Sequence, residues 1–180
     1  MRYYDLPIGD KAPDAFNVVV EIPKGSANKY EFDSELQIFR LDRTLYSPMH
    51  YPGDYGFIPS TIAGDGDPLD ALVMVESPTF TSCLIEARAV GMLAMVDQGY
   101  EDLKLLCVST KDPRQETVQN YSDVHPHRIR EIEHFFSIYK ELEGKRTETG
   151  GWRNAAEARQ VIIAASEKYR SSHSSNRSSS

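Results

Sequence analysis

The chain has 180 residues, a hydrophobic content of 40%, a charged content of 26% and a formal net charge of −7. These values fit one soluble globular domain, long enough to bury a substantial core. The acidic balance excludes non-specific nucleic-acid or anionic-membrane binding, so an anionic substrate must be drawn in by local lysine, arginine or metal.

From the N-terminus, Met1–Asp5 carries no apolar signal core. Phe16–Ile22 is β-branched and apolar, a strand ended by Pro23. Lys29–Asp33 alternates, with Lys29, Glu31 and Asp33 on one side and Tyr30 and Phe32 on the other. Gln37–Leu45 alternates too, and places Phe39, Leu41, Arg43 and Leu45 on one face, an awkward setting for an unpaired guanidinium. Further strands are predicted at Tyr55–Pro59, Ala71–Glu76, Leu84–Val96 and Leu103–Ser109, the last two joined by a hairpin turn over Asp97–Asp102. Many short strands of this kind favour a small closed barrel.

Cys83 and Cys107 lie in apolar runs without metal-ligand spacing and read as buried free thiols of a reducing compartment. A first helix runs from Pro126 to Glu143, with Gly144 past its end and Ile129, Ile132, Phe135, Phe136, Tyr139 and Leu142 as its apolar stripe. A second begins at Asn154, which forms a capping-box pattern with Glu157, and buries Ala158, Val161, Ile162, Ala165 and Tyr169. The Ser-rich stretch 171–180 reads as a disordered tail, leaving one domain over 1–170. No segment reaches membrane-spanning length, and the chain is expected in the cytoplasm.

The chemistry concentrates at Asp65-Gly-Asp-Pro-Leu-Asp70. Three carboxylates in six residues repel unless a proton or a cation intervenes, and oxygen-only ligands suit a hard divalent ion such as Mg²⁺. An EF-hand reading fails because Leu69 and Asp70 occupy the positions of a required ligand and of the invariant glycine. An aspartyl-phosphate reading fails because 61–64 is no buried apolar strand. A second acidic group, Asp97, Glu101 and Asp102, precedes Lys104. A third mixes Glu21, Lys29 and Glu31 with Arg43. Lysine and arginine interleaved with carboxylates imply that a polyanion, most naturally phosphate, completes the coordination of the metal.

Glu21-Ile-Pro23, Lys29-Tyr-Glu31, Asp42-Arg43, Tyr51-Pro-Gly-Asp-Tyr-Gly-Phe57, Asp65–Asp70, Asp97 with Asp102-Leu-Lys104, and His134-Phe-Phe-Ser-Ile-Tyr-Lys140 together resemble the family I soluble inorganic pyrophosphatases of bacteria. The resemblance runs in order from about Asp5 to Tyr169. It implies a mainly β fold, a five-stranded OB-like closed barrel with two C-terminal α-helices. It also implies Mg²⁺-dependent hydrolysis of pyrophosphate to two orthophosphates, by in-line attack of a water bridging two cations.

Carried onto this sequence, the resemblance assigns Asp65, Asp70, Asp97 and Asp102 to metal, with Glu31 and more weakly Glu21 acting through water. Asp67 becomes the general base. Lys29, Arg43, Tyr55, Lys104, Tyr139 and Lys140 become the substrate-binding groups. No nucleic-acid or membrane partner is implied, and the chain is expected to form a homo-oligomer, by resemblance a hexamer. The alternative activity is Mg²⁺-dependent hydrolysis of nucleotides or polyphosphate.

Overall fold

A computed structural model describes residues 2–97 and 99–177. In chain order its elements are β1 (Phe16–Ile22), β2 (Asn28–Asp33), β3 (Ile38–Thr44), β4 (Asp54–Ile58), β5 (Leu69–Met74), β6 (Leu84–Asp97), β7 (Tyr100–Ser109), α1 (Pro126–Ile138), β8 (Thr147–Asn154) and α2 (Ala155–Arg177). Strands β1, β4, β5, β7 and β6 pair in that order, and β6 returns to β1 to close a five-stranded ring. Closure depends on the length of β6: its start, residues 84–87, pairs with β1, while residues 87–97 run along β7. Every ladder in the ring is antiparallel except β5–β7. The OB-like closed barrel expected from the sequence is therefore present, with two C-terminal α-helices.

Successive residues on a strand face opposite ways, and here the two parities meet different helices. Ala71, Val73, Leu105 and Cys107 pack with Ala158, Ile162 and Ala165 of α2. Leu72, Met74, Leu106 and Val108 pack with Ile132, Phe135 and Phe136 of α1. Asn154 and Glu157 cap α2 reciprocally, the carboxylate accepting from the Asn154 N–H and the Asn154 Oδ1 from the Glu157 N–H, each at 3.0 Å.

Five local features depart from the sequence expectation. Strand β8 was not foreseen, because its Gly150–Gly151 pair and polar residues carry no period-two apolar signal. It forms by pairing with β6, and a register shift between Ala94 and Met95 accommodates Gly151 at φ 85°. Helix α1 stops at Ile138 rather than Glu143. A separate 3₁₀ turn spans Glu141–Glu143, so Leu142 is 64% exposed and leaves the apolar stripe.

In the β2–β3 hairpin, Tyr30 pairs with Leu41 but Lys29 pairs with Arg43, which leaves Asp42 as an extra residue. That bulge moves Arg43 off the face of Phe39 and Leu41 and onto the face of its partner Lys29. Helix α2 continues through 171–177, where the sequence reads as disordered. There the Ser171, Ser172 and Ser174 hydroxyls turn back on the preceding turn and donate to the carbonyls of Glu167, Tyr169 and Arg170. Residues 178–180 lie outside the described residues. Finally, Cys107 is buried but Cys83 is only partly so.

Gly56 lies where β1 and β4 approach most closely: a Cβ there would sit 1.9 Å from the Val19 carbonyl oxygen. Gly56→Ala must therefore push two central strands apart, and is expected to destabilise the fold by about 3 kcal/mol. The denaturant midpoint checks this; a midpoint equal to that of the native chain contradicts it.

Candidate active site

A cavity of about 440 Å³ opens at one end of the barrel, where β4, β5 and β7 meet the β2–β3 hairpin and the end of α1. Register builds its floor. In the parallel β5–β7 ladder Asp70 is opposite Lys104, and Phe57 of β4 is opposite Asp70. Asp102, two residues before Lys104, shares its side of β7. Lys104 Nζ thus donates to Asp70 Oδ2 at 2.5 Å and to Tyr55 Oη at 3.0 Å, and lies 2.7 Å from Asp102 Oδ1. Lys104 is 5% exposed. Burial alone would lower its pKa, but the charges of Asp70 and Asp102 outweigh burial and hold it well above the ordinary lysine value.

The Asp65–Asp70 loop forms the cavity's acidic wall. Gly66 takes φ 99°, and the Asp67 N–H donates to Asp65 Oδ1 at 3.1 Å, a tight Asx-type turn. The Ala63 N–H donates to the Asp67 carbonyl at 2.7 Å, and Thr61 Oγ1 anchors the loop's exit by accepting from the Leu69 N–H at 2.9 Å. Desolvation, then the charges of Asp65, Asp70 and Glu31, raise the pKa of Asp67 above the usual carboxylate range.

Opposite, the hairpin supplies Lys29 and Glu31, which are ion-paired to each other, and Lys29 also reaches Asp42 Oδ2 at 3.4 Å. Glu21 lies beneath them, 8% exposed, and accepts the Phe32 N–H at 2.8 Å. Burial pushes its pKa up to about 8, a rise that this hydrogen bond only partly opposes. Asp97, at the end of β6, receives Lys140 Nζ at 2.6 Å. An unbroken helix would turn Tyr139 and Lys140 about 100° apart. The break after Ile138 lets both line the cavity.

Twelve of the thirteen residues singled out from the sequence line this one cavity: Glu21, Lys29, Glu31, Tyr55, Asp65, Asp67, Asp70, Asp97, Asp102, Lys104, Tyr139 and Lys140. Arg43 does not line it. Its guanidinium pairs with Asp42 and with Glu143 instead. The structure adds Tyr4, Phe32, Phe57 and Pro68 to the lining. Phe32 and Phe57 belong to the apolar parity of their strands, and Tyr4 comes from an N-terminal segment with no periodic signal. Its ring packs edge-on against both phenylalanines. Tyr51 is buried against Tyr55 and Phe135 outside the cavity, as a barrel aromatic.

Among the described residues no three carboxylates, histidines or cysteines close to metal-binding distance. Lys104 and Lys140 stand between the acids instead. The donor set nevertheless fits a hard cation. Seven carboxyls face three ammoniums, all the acids offer oxygen, and Asp97 Oδ1 is buried without a hydrogen-bond partner among the described residues.

The family model described as "Inorganic pyrophosphatase" matches residues 18–170. The chain is 51% identical over 150 residues to the inorganic pyrophosphatase of Halalkalibacterium halodurans, covering 83% of this chain and 92% of that one. It is 52% identical over 153 residues to that of Geobacillus stearothermophilus, covering 85% and 91%. The crystal structure of inorganic pyrophosphatase from Thermus thermophilus superposes with a TM-score of 0.92 at 43% identity, covering 94% of this chain and 99% of that one.

The raised Glu21 pKa fixes the sign of a stability effect. Between pH 4.5, its ordinary value, and about 8, the folded chain holds a proton that the unfolded chain releases. Stability is therefore lost as pH rises through that window, by an amount on the order of a few kcal/mol. Urea melts in chelator at pH 5 and pH 8 should show this loss, and Glu21→Gln should flatten it. An equal pH slope in the two proteins contradicts the assignment.

Proposed function

The chain belongs to the inorganic pyrophosphatase family, and we propose that its cavity hydrolyses pyrophosphate to two orthophosphates with Mg²⁺ as the resident cation. The observation that carries this is the convergence, in one cavity, of a carboxylate excess with three lysine ammoniums and three tyrosines. That mixture suits an anion that arrives with its own demand for divalent cations.

Asp65, Asp70, Asp97 and Asp102 would hold the metal directly, and Glu31 and Glu21 through water. Bound there, Mg²⁺ would supply the positive charge that acidifies water and offsets the charge of the phosphates. The protein's own groups do the rest. Asp67, with its pKa raised and its loop pinned by the Asx-type turn, takes the proton of the attacking water. The new P–O bond forms as the bridging P–O bond breaks, and the departing phosphate carries away the electron pair. Lys29, Lys104 and Lys140, with Tyr55 and Tyr139, orient the two phosphoryl groups. They also stabilise charge on the transferring and leaving oxygens. Arg43, fixed beside Lys29, adds a guanidinium at the cavity's edge.

Lys104 holds Asp70 and Asp102 and also contacts Tyr55, so entry of cation and substrate exchanges its carboxylate partners for phosphate oxygens. No described helix is long and apolar enough to cross a membrane. We propose that the enzyme works in the cytoplasm as a homo-oligomer, a hexamer by family resemblance. The comparisons do not favour the alternative of nucleotide or polyphosphate hydrolysis.

With Mg²⁺, phosphate release should be fast from pyrophosphate and at least about a hundredfold slower from ATP and triphosphate. Comparable rates on all three contradict pyrophosphate specificity. Asp67→Asn should keep the native melting curve and lose about 10²–10⁴-fold in kcat. Turnover within threefold of the native enzyme removes Asp67 from the role of base.

A further inference from the structure

Arg43 is the one member of the proposed substrate set that does not line the cavity. Its guanidinium is gripped on two edges. Nη1 donates to Asp42 Oδ2, a carboxylate shared with Lys29, and Nε donates to Glu143 Oε1 at 2.8 Å, a hundred residues along the chain. Its third edge, Nη2, is buried with no partner among the described residues. Burial would lower the Arg43 pKa, but the Glu143 hydrogen bond and charge raise it beyond that effect.

Glu143 is not an ordinary surface partner. Its side chain is 7% exposed, and it closes the 3₁₀ turn that follows Lys140, its N–H donating to the Lys140 carbonyl at 3.0 Å. The β2–β3 hairpin is a sheet of its own, unpaired with the barrel. The Arg43–Glu143 contact therefore ties the strand pair that carries Lys29 to the turn that follows Lys140. An exposed ion pair would be worth little. Here Glu143 is buried at 7% side-chain exposure and Arg43 part-buried at 21%, and the pair links two elements that each deliver a cation to the cavity.

We propose that Glu143 is a positioning residue for pyrophosphate binding: through Nε it holds Arg43 beside Lys29 with Nη2 left without a partner among the described residues, to be turned onto a phosphate oxygen when substrate binds, and it registers the Lys29 hairpin against the Lys140 turn. This rests on Arg43 contacting substrate, as proposed above. Its closest competitor for Glu143, Lys145, stands at 3.9 Å and is largely solvated, so it does not displace the guanidinium.

The test is a kinetic cycle on the full enzyme with Mg²⁺ and pyrophosphate: Glu143→Ala, Glu143→Gln, Arg43→Ala and the double variant Glu143→Ala/Arg43→Ala. Glu143→Ala should raise KM about tenfold with kcat held within about threefold, the pattern of lost ground-state positioning. Glu143→Gln, which keeps an acceptor for Nε, should return KM to within about threefold of native. The double variant should be no worse than Arg43→Ala alone, because both changes remove one contact.

A KM unchanged by Glu143→Ala while Arg43→Ala raises it overturns the positioning role. So does a KM for Glu143→Gln as high as for alanine, or multiplicative effects in the double variant. Arg43→Ala with a native KM instead sinks the substrate role of Arg43 beneath the proposal. Should Glu143→Ala fail to fold, Glu143→Asp carries the same test. It keeps the charge and withdraws it by one methylene, and an unaltered KM overturns the claim.

Discussion

Seven carboxyls and three ammoniums share one cavity, and the fold must hold them there although more than two acids stand for every base. In water such a group would separate; inside a barrel mouth it cannot. The structure meets this in two ways without a cation. Glu21, Asp67 and Asp102 have pKa values raised first by burial, and Glu21, pushed up to about 8, sheds its charge near neutral pH. The lysines are distributed among the acids: Lys29 on Glu31 and Asp42, Lys104 bridging Asp70 and Asp102, Lys140 on Asp97. Both devices are reversible. Under the proposed function a divalent ion would take over the carboxylates and a phosphate would take over the lysines.

The barrel exists to set that spacing. Its one parallel ladder, β5 against β7, brings Asp70 and Lys104 opposite each other from segments thirty-four residues apart. The loop before β5 and the hairpin between β6 and β7 then deliver the remaining aspartates to the same end. Apolar residues of both parities on β5 and β7 pack against α1 and α2, so these strands cannot slip without turning charged side chains into the core. The hairpin β2–β3 stands outside this lattice; Phe32 packs it on Val19 and Phe57 of the barrel, and two polar ties add to that, Glu21 to the Phe32 N–H and Arg43 to Glu143.

Much of this was legible in the sequence because local chemistry and global fold agree. The apolar run of β1, the alternation of β2, the capping box at Asn154 and the crowding of Asp65, Asp67 and Asp70 each follow from nearest-neighbour physics. Twelve of the thirteen residues that the family resemblance assigned do line one cavity; the sequence pattern by itself pointed only to the acidic clusters and the cations interleaved with them. What escaped depends on partners distant in sequence. Strand β8 has no periodic signature and forms only because β6 offers an edge. The bulge at Asp42 reverses the face of Arg43, which no alternation rule reveals. The break after Ile138 lies inside an apolar stripe that reads as continuous helix to Glu143. Helix α2 runs on past Arg170 through a Ser-rich stretch whose composition reads as disorder. Glu143 could not be paired with Arg43 without knowing how the α1 turn meets the hairpin.

The central claim is that the acidic wall closes on divalent cations when a diphosphate is present, and that Lys104 then leaves Asp70 and Asp102. A crystal structure with Mg²⁺ and a non-hydrolysable diphosphate analogue tests it most directly. The account predicts metal density held by Asp65, Asp70, Asp97 and Asp102, with the Lys104 ammonium on a phosphate oxygen. Lys104 still bridging Asp70 and Asp102, with the analogue bound elsewhere or without metal, would contradict it.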